Sequence, residues 1–286
     1  MPPQNETAEI AEIGACGRGR EVARVLVVPG VFESVNYAKA LIARIRTDND
    51  DDVGASKTRA LLDRWTLRFW SVIPPGYERD PATPTNEGYG RRIAAAAANV
   101  FSATELKLLV CHSWGAAATA LAAPLPQLAD AAILSAPAWS DCATIIAKLG
   151  SWAFVVPLVR KVSHSALTAT FPASLRASKV PAIKDLVADL PERRSSFATC
   201  FQSVRCVERG PRAAAGAAAL ARLARRSLIV HGGEDRAVNT DRALRIYAAL
   251  DPVVRDSFEV LVKSNLTHFP LIEQPHLFAE ILDSLV

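Results

Sequence analysis

Short apolar runs, several rich in β-branched residues, return along this chain with helical stretches between them, and that alternation restricts the fold more than any other feature. The runs are Arg24–Val28, closed by Pro29-Gly30, then Leu67–Ile73, closed by Pro74-Pro75-Gly76, then Leu106–Val110, Ala131–Leu134, Ser227–Val230 and Ser257–Val262. Helical patterns occupy Asn36 to Arg46, the Ala-rich Glu87–Val100 with Asn86 placed to cap it, Trp114–Ala123, Asp241–Leu250 and Pro275–Val286. A strand that is apolar at nearly every position meets water on neither face, the condition of a parallel sheet covered by helices on both sides. The expected fold class is therefore α/β, with a mostly parallel central sheet flanked by helices. The chain before Arg24 is too short and too poor in strand pattern for two full leading strands, and the like-charged block around Asp50-Asp51-Asp52 reads as a solvated loop.

One segment breaks the alternation. Residues 139–216 are helical and irregular, sit between two sheet strands and carry their own aromatics, Trp139, Trp152, Phe154, Phe171, Phe197 and Phe201. The expected organisation is a core of residues 1–138 and 217–286 with a helical lid, 139–216, inserted over the carboxyl edge of the sheet. The formal charge of +4 is too small to imply nucleic acid, yet Trp139 to Arg212 holds eleven basic residues against five acidic ones. At 50 % hydrophobic residues the chain has ample apolar surface for a large core. The apolar stretch Trp152–Val159 is interrupted by Pro157 and is far shorter than the ~20 residues a bilayer demands, so no membrane span is expected. The first residues show no basic start followed by a long apolar run, which makes a cytoplasmic location the expectation. Five scattered cysteines without a CxxC pair argue for reduced thiols and against a zinc site, and no metal or organic cofactor is expected.

The stretch Leu108-Leu109-Val110-Cys111-His112-Ser113-Trp114-Gly115-Ala116-Ala117 places a serine between a strand and a helix. A nucleophilic serine on so sharp a turn needs small neighbours two positions to either side, a condition Gly115 meets fully and Cys111 loosely. The helix start offers free N–H groups to an oxyanion beside it. Otherwise Ser113 is an ordinary helix cap. Serine needs a base, and of five histidines His268, in the loop joining the last strand to the last helix, opens at the carboxyl edge of the sheet. His112 lies inside the elbow with its side chain directed away from Ser113, His231 ends a strand, His164 is in the insert and His276 opens the closing helix. Asp235, after the strand ending at Val230 and the Gly232-Gly233 turn, is the candidate acid; Asp141 is the alternative and Glu234 a lesser one. A second oxyanion donor is expected from the backbone N–H of Val31 or Phe32, paired with that of Trp114, in a turn where Glu33 is out of place among apolar neighbours.

These residues together resemble the α/β-hydrolase superfamily in its lidded esterase and lipase-like branch. The resemblance covers most of the chain outside the insert: Val27-Val28-Pro29-Gly30, Cys111–Gly115, Leu228–Val238, and Thr267–Pro275 with its specific run His268-Phe269-Pro270-Leu271-Ile272-Glu273-Gln274-Pro275. The chain departs from the usual pattern at Pro29, where many relatives have His, and at Cys111 and Ala116, where Gly is common. The resemblance implies a serine hydrolase with Ser113, Asp235 and His268 in the superfamily's chain order, acting on a small apolar carboxylic ester, thioester or lactone. A second reading keeps the fold and transfers the acyl group or closes a ring, with the basic insert docking an acyl carrier. A third is a binding protein that retains the pocket without turnover.

Overall fold

The apolar runs pair into one seven-stranded sheet in the order β1-β3-β2-β4-β5-β6-β7. Its strands are β1 (Ile10–Cys16), β2 (Glu21–Val28), β3 (Trp65–Val72), β4 (Leu106–His112), β5 (Ala129–Ser135), β6 (Ala224–Gly232) and β7 (Glu259–Lys263). The computed structural model describes residues 10–31, 33–47, 55–78, 80–101, 105–122, 128–144, 171–188 and 197–285. Every pairing is parallel except that of β1 with β3, so one antiparallel strand guards an edge of an otherwise parallel sheet. Among the described residues β1 alone precedes β2, and its mixed burial hid it from a reading that sought continuous apolar runs.

Helices α1 (Ser34–Thr47), α2 (Ala55–Arg64), α3 (Asn86–Val100), α4 (Ser113–Thr119), α5 (Ala173–Arg176), α6 (Pro181–Ala188), α7 (Phe197–Glu208), α8 (Ala213–Leu223), α9 (Thr240–Ala248), α10 (Pro252–Arg255), α11 (Pro270–Glu273) and α12 (His276–Leu285) complete the described elements. α2 escapes a periodicity reading because it buries little beyond Thr58 and Leu61. α4 passes into a 3-10 turn at Ala120–Ala122, and the expected closing helix, Pro275–Val286, corresponds to α12, with the short α11 standing before it. The expected cap of α3 is corrected: Thr85, whose side chain accepts from the N–H of Gly88, is the N-cap, and Asn86 is inside the helix with a different task.

The sheet separates two apolar layers. One gathers Leu26, Tyr89, Ile93, Leu109, Trp114, Leu220 and Ile229, and the other gathers Val25, Tyr37, Phe69, Val110, Ile133, Phe269 and Phe278. Truncating fully buried Leu26 or Ile133 to alanine in so tight an interior costs about 2–5 kcal/mol. The described parts of the expected lid fall in both layers: Phe171, Leu175, Ile183 and Leu186 in the second, Cys206, Val207 and Ala213 in the first. Residues 145–170 and 189–196 of the expected lid, His164 among them, lie outside the described residues. No described helix is long and apolar enough to cross a membrane.

Register brings the functional ends together. Val28 pairs with Cys111, His112 with Ser135, Ser135 with Val230 and Gly232 with Lys263, so the loops after β2, β4, β6 and β7 leave along one carboxyl edge. In a doubly wound sheet that edge is where ligands bind.

Candidate active site

The chain reverses sharply between β4 and α4. Ser113 stands at φ +49, in the left-handed region, which a residue with a side chain adopts at a cost of about 1–2 kcal/mol unless its surroundings hold it. They do. A Cβ on Gly115 would sit 2.5 Å from the carbonyl oxygens of both Val28 and Pro29, and one on Gly30 would sit 2.8 Å from the Ser113 Cβ. The carbonyl of Ser113 accepts from the N–H of Ala138 at 3.1 Å. Cys111 fits where glycine is usual because its thiol packs as a small apolar group 3.3 Å from Thr119 Oγ1, and burial pushes that thiol up to about 12.

On the helix side of the elbow, the Trp114 indole is fully buried and donates to Asn86 Oδ1 at 2.9 Å. Asn86 Nδ2 in turn donates to the carbonyl of Cys206 in α7 at 2.7 Å. The Tyr89 ring lies 4.6 Å from that of Trp114, and its hydroxyl donates to the carbonyl of Pro29 at 2.8 Å. The backbone N–H of Trp114 falls in the first turn of α4, where no carbonyl of the helix can reach it. Val31 follows Gly30 in the turn after β2; Phe32, the other expected donor, lies outside the described residues.

The structure brings Ser113, His268 and Asp235 together. His268 Nε2 is 3.0 Å from Ser113 Oγ, and its Nδ1 is 2.8 Å from Asp235 Oδ2. Asp235 Oδ1 accepts from the N–H groups of Ala237 and Val238 at 2.7 and 3.0 Å, which fixes the carboxylate plane. A carboxylate can only accept, so Nδ1 carries the proton toward Asp235 and Nε2 is left to accept from the serine hydroxyl. Two glycines permit the approach: a Cβ on Gly232 would meet the carbonyl of Thr267 at 2.0 Å, and one on Gly233 that of Ser264 at 2.7 Å. The loop that carries His268 is further gathered by Glu273, whose carboxylate accepts from the Thr267 hydroxyl at 2.6 Å and from its N–H at 3.0 Å.

Burial acts to raise the Asp235 carboxyl, but the adjacent His268 ring and the N–H groups of Val238 and Ala237 outweigh it and hold the acid below its ordinary value. For His268 burial acts to lower proton affinity, yet the Asp235 carboxylate, with Glu33 and Glu273 beyond it, leaves the imidazole above its ordinary value.

The other sequence candidates go elsewhere. Asp141 is not the partner of His268; its Oδ1 accepts from the N–H of Ala213 at 2.9 Å and fastens the start of α8. Glu234 is exposed. His231 is buried with Nε2 3.3 Å from the Tyr247 hydroxyl, and burial pushes it down to about 4, so it is neutral at ordinary pH. Sequence reasoning missed how Glu33 and His112 are used. Glu33 is 4 % exposed, its Oε2 accepts from the N–H of Gly30 at 2.6 Å, and its Oε1 lies 2.5 Å from His112 Nδ1. The signal was present in a carboxylate placed within an apolar turn.

The model of the Alpha/beta hydrolase family matches residues 22–281. Among solved structures, a hydrolase from Pseudomonas aeruginosa PA01 is 15% identical with a TM-score of 0.63, covering 99% of this chain and 96% of its own. An esterase from Exiguobacterium antarcticum is 14% identical with a TM-score of 0.62, over 96% of this chain and 93% of its own. An enol-lactonase from Burkholderia xenovorans LB400 is 9% identical with a TM-score of 0.65, over 98% of this chain and 97% of its own. At such identities the likeness is one of fold. Among curated protein sequences none matches the chain.

Proposed function

Because this chain belongs to the alpha/beta hydrolase family, we propose that it is a serine hydrolase that cleaves a carboxylic ester, thioester or lactone through an acyl-enzyme on Ser113. The observation that carries the reading is the continuous contact from Ser113 Oγ to His268 at 3.0 Å and from His268 to the buried Asp235 at 2.8 Å. His268 Nε2 takes the hydroxyl proton as Ser113 Oγ attacks the carbonyl carbon, and Asp235 stabilises the imidazolium that forms. The backbone N–H groups of Trp114 and Val31 receive the developing oxyanion. Collapse of the tetrahedral species expels the alkoxide or thiolate, which leaves with the proton from His268. Water then attacks the acyl-enzyme with His268 again as base, returning Ser113 to its starting state.

Solved relatives in fold include an esterase and an enol-lactonase, and the substrate class given to this chain is of the same broad kind. An apolar acyl or alcohol portion suits the aromatic surroundings: Phe171 stacks on Phe269 at 4.3 Å, and Phe269 meets the His268 ring edge-on at 5.4 Å. The test is labelling with a fluorophosphonate, followed by turnover of esters, thioesters and lactones of graded chain length. The expected result is a covalent adduct on Ser113 and hydrolysis that disappears in Ser113→Ala. Full turnover by that variant overturns the reading.

A further inference from the structure

Catalysis through Ser113, His268 and Asp235 leaves His112 and Glu33 without a part, although both are buried beside the reacting serine. His112 Nε2 lies 2.7 Å from the carbonyl oxygen of His268, and a carbonyl only accepts, so that nitrogen carries a proton. The other nitrogen, Nδ1, lies 2.5 Å from Glu33 Oε1, off the axis along which its own N–H would point. Glu33 Oε2 meanwhile accepts from the N–H of Gly30. A single path therefore runs from the turn after β2, through Glu33 and His112, to the backbone of the residue read as the general base. Stacking of the Tyr37 ring on His112 at 4.6 Å, with Phe269 at 5.0 Å, holds the imidazole in plane.

We propose that Glu33 and His112 form a second carboxylate–imidazole couple that positions the oxyanion turn and the base loop relative to each other while Ser113 reacts, an inference that rests on the serine-hydrolase reading. Both are positioning residues: they act on the reaction through Gly30 and His268. The separation matters because the oxyanion donors and the base must serve one substrate carbonyl at once, and a displacement of an ångström costs roughly a hundredfold in rate. Glu33 has a second effect through its charge. The groups facing His268 are Asp235 after β6, Glu273 on α11, Glu33 after β2, His231 on β6 and His112 at the end of β4, whose ring centroid is 4.8 Å away. Glu33 is among the carboxylates that favour the imidazolium.

The test combines Glu33→Gln with wild-type measurements. Glu33→Gln keeps the shape and an acceptor for the Gly30 N–H but removes the acid. It is expected to lower kcat roughly ten- to a hundredfold with KM changed less than about twofold, because a misplaced transition state leaves ground-state binding intact. The acid limb of its pH–rate profile should move to lower pH, a displacement that lost packing does not produce. Glu33→Asp, which restores the charge on a shorter arm, should return the limb toward wild type while kcat stays low. In the wild type itself, nitrogen-edited NMR should find the Nε2–H of His112 protected from exchange with water, a readout independent of whether the variants fold. A labelled, active wild type with an unprotonated His112 Nε2, or Glu33→Gln with unchanged kcat and pH limb, overturns the proposal alone. A wild type that takes no fluorophosphonate on Ser113 overturns the serine-hydrolase reading and the couple's role with it.

Discussion

The two residues flanking Ser113 are held by opposite kinds of chemistry. Trp114 is held by groups that stay neutral: an indole N–H on a carboxamide, that carboxamide on a backbone carbonyl, and a tyrosine whose hydroxyl burial drives well above its ordinary range. His112 is held by ionisable groups, a carboxylate at 2.5 Å and, through the His268 carbonyl, the loop that Glu273 of α11 gathers. The helix side of the elbow therefore rests on neutral contacts, and on the serine-hydrolase reading the proton transfer falls to the side that carries His268. A site that moves a proton needs both, a fixed donor surface for the oxyanion and a tunable acceptor for the hydroxyl.

The largest effect belongs to the atom on which both sides converge. Ser113→Ala should lower kcat by about a millionfold toward the level that binding and oxyanion donors alone sustain. If it does not, neither side of the elbow has a catalytic meaning and the comparison falls.

Next comes Asp235→Asn, which leaves the shape of the base side and removes its strongest charge. A fall of about 10⁴ in kcat is expected, because the amide disturbs the tautomer that presents Nε2 to Ser113. The pH dependence has a definite sign. His268 must be neutral to accept the proton, and in the native protein it binds its proton more tightly than the ordinary 6.5. Activity should thus rise with pH through a midpoint above 6.5, and the residual activity of Asp235→Asn should rise through a lower one. Stability runs the other way across that midpoint. The raised His268 contributes stability that is full below its unfolded pKa and lost as pH rises through the folded one. The depressed Asp235 contributes stability present above its unfolded value and lost as pH falls through its folded value. Thermal unfolding followed against pH alongside the rate should show activity gained as this increment of stability is lost.

The neutral side can be tested without touching charge. Trp114→Phe keeps the ring against Tyr89 but strands the Asn86 carboxamide, and leaving a buried acceptor unpaired costs about 1–3 kcal/mol. Denaturant unfolding should report that loss while the midpoint of the pH–rate profile stays fixed. A shifted midpoint would show that the two sides are electrically coupled.

What could be read beforehand divides along the same line. Strand runs such as Arg24–Val28 and Leu106–Val110 are legible because burial on both faces writes itself into consecutive residues, and the serine stood out because a strand, a serine and a glycine are local in sequence. Asp235 and His268 were reachable from their places after strands, since the register of a parallel sheet aligns those ends whatever the loops contain. The Glu33–His112 contact joins the ends of β2 and β4, and nothing in either stretch alone states that the two ends approach. Asn86 has the residue type of a cap, whereas tertiary packing gives it the Trp114 indole. Strand β1 was lost for a related reason: an edge strand with one open side carries neither continuous apolarity nor clean alternation.

The smallest expected effect concerns an acid that belongs to neither side. Asp141 stands just past β5, where an acid able to serve His268 would also stand, and its removal asks whether position in the chain or contact in the fold decides the role. Its carboxylate accepts from the N–H of Ala213 and meets Arg212 at 3.4 Å. Arg212 is 77% exposed, so the ion pair adds little, and most of the value lies in the charge-assisted bond at the start of α8. Asp141→Asn keeps an acceptor for that N–H and should therefore cost no more than about 1 kcal/mol. Because the charge lies on the α8 side of the structure, kcat should stay within about twofold of wild type, and the midpoint of the pH–rate profile should not move. A displaced midpoint would mean that Asp141 senses the imidazole after all, and Asp235 would then share its task.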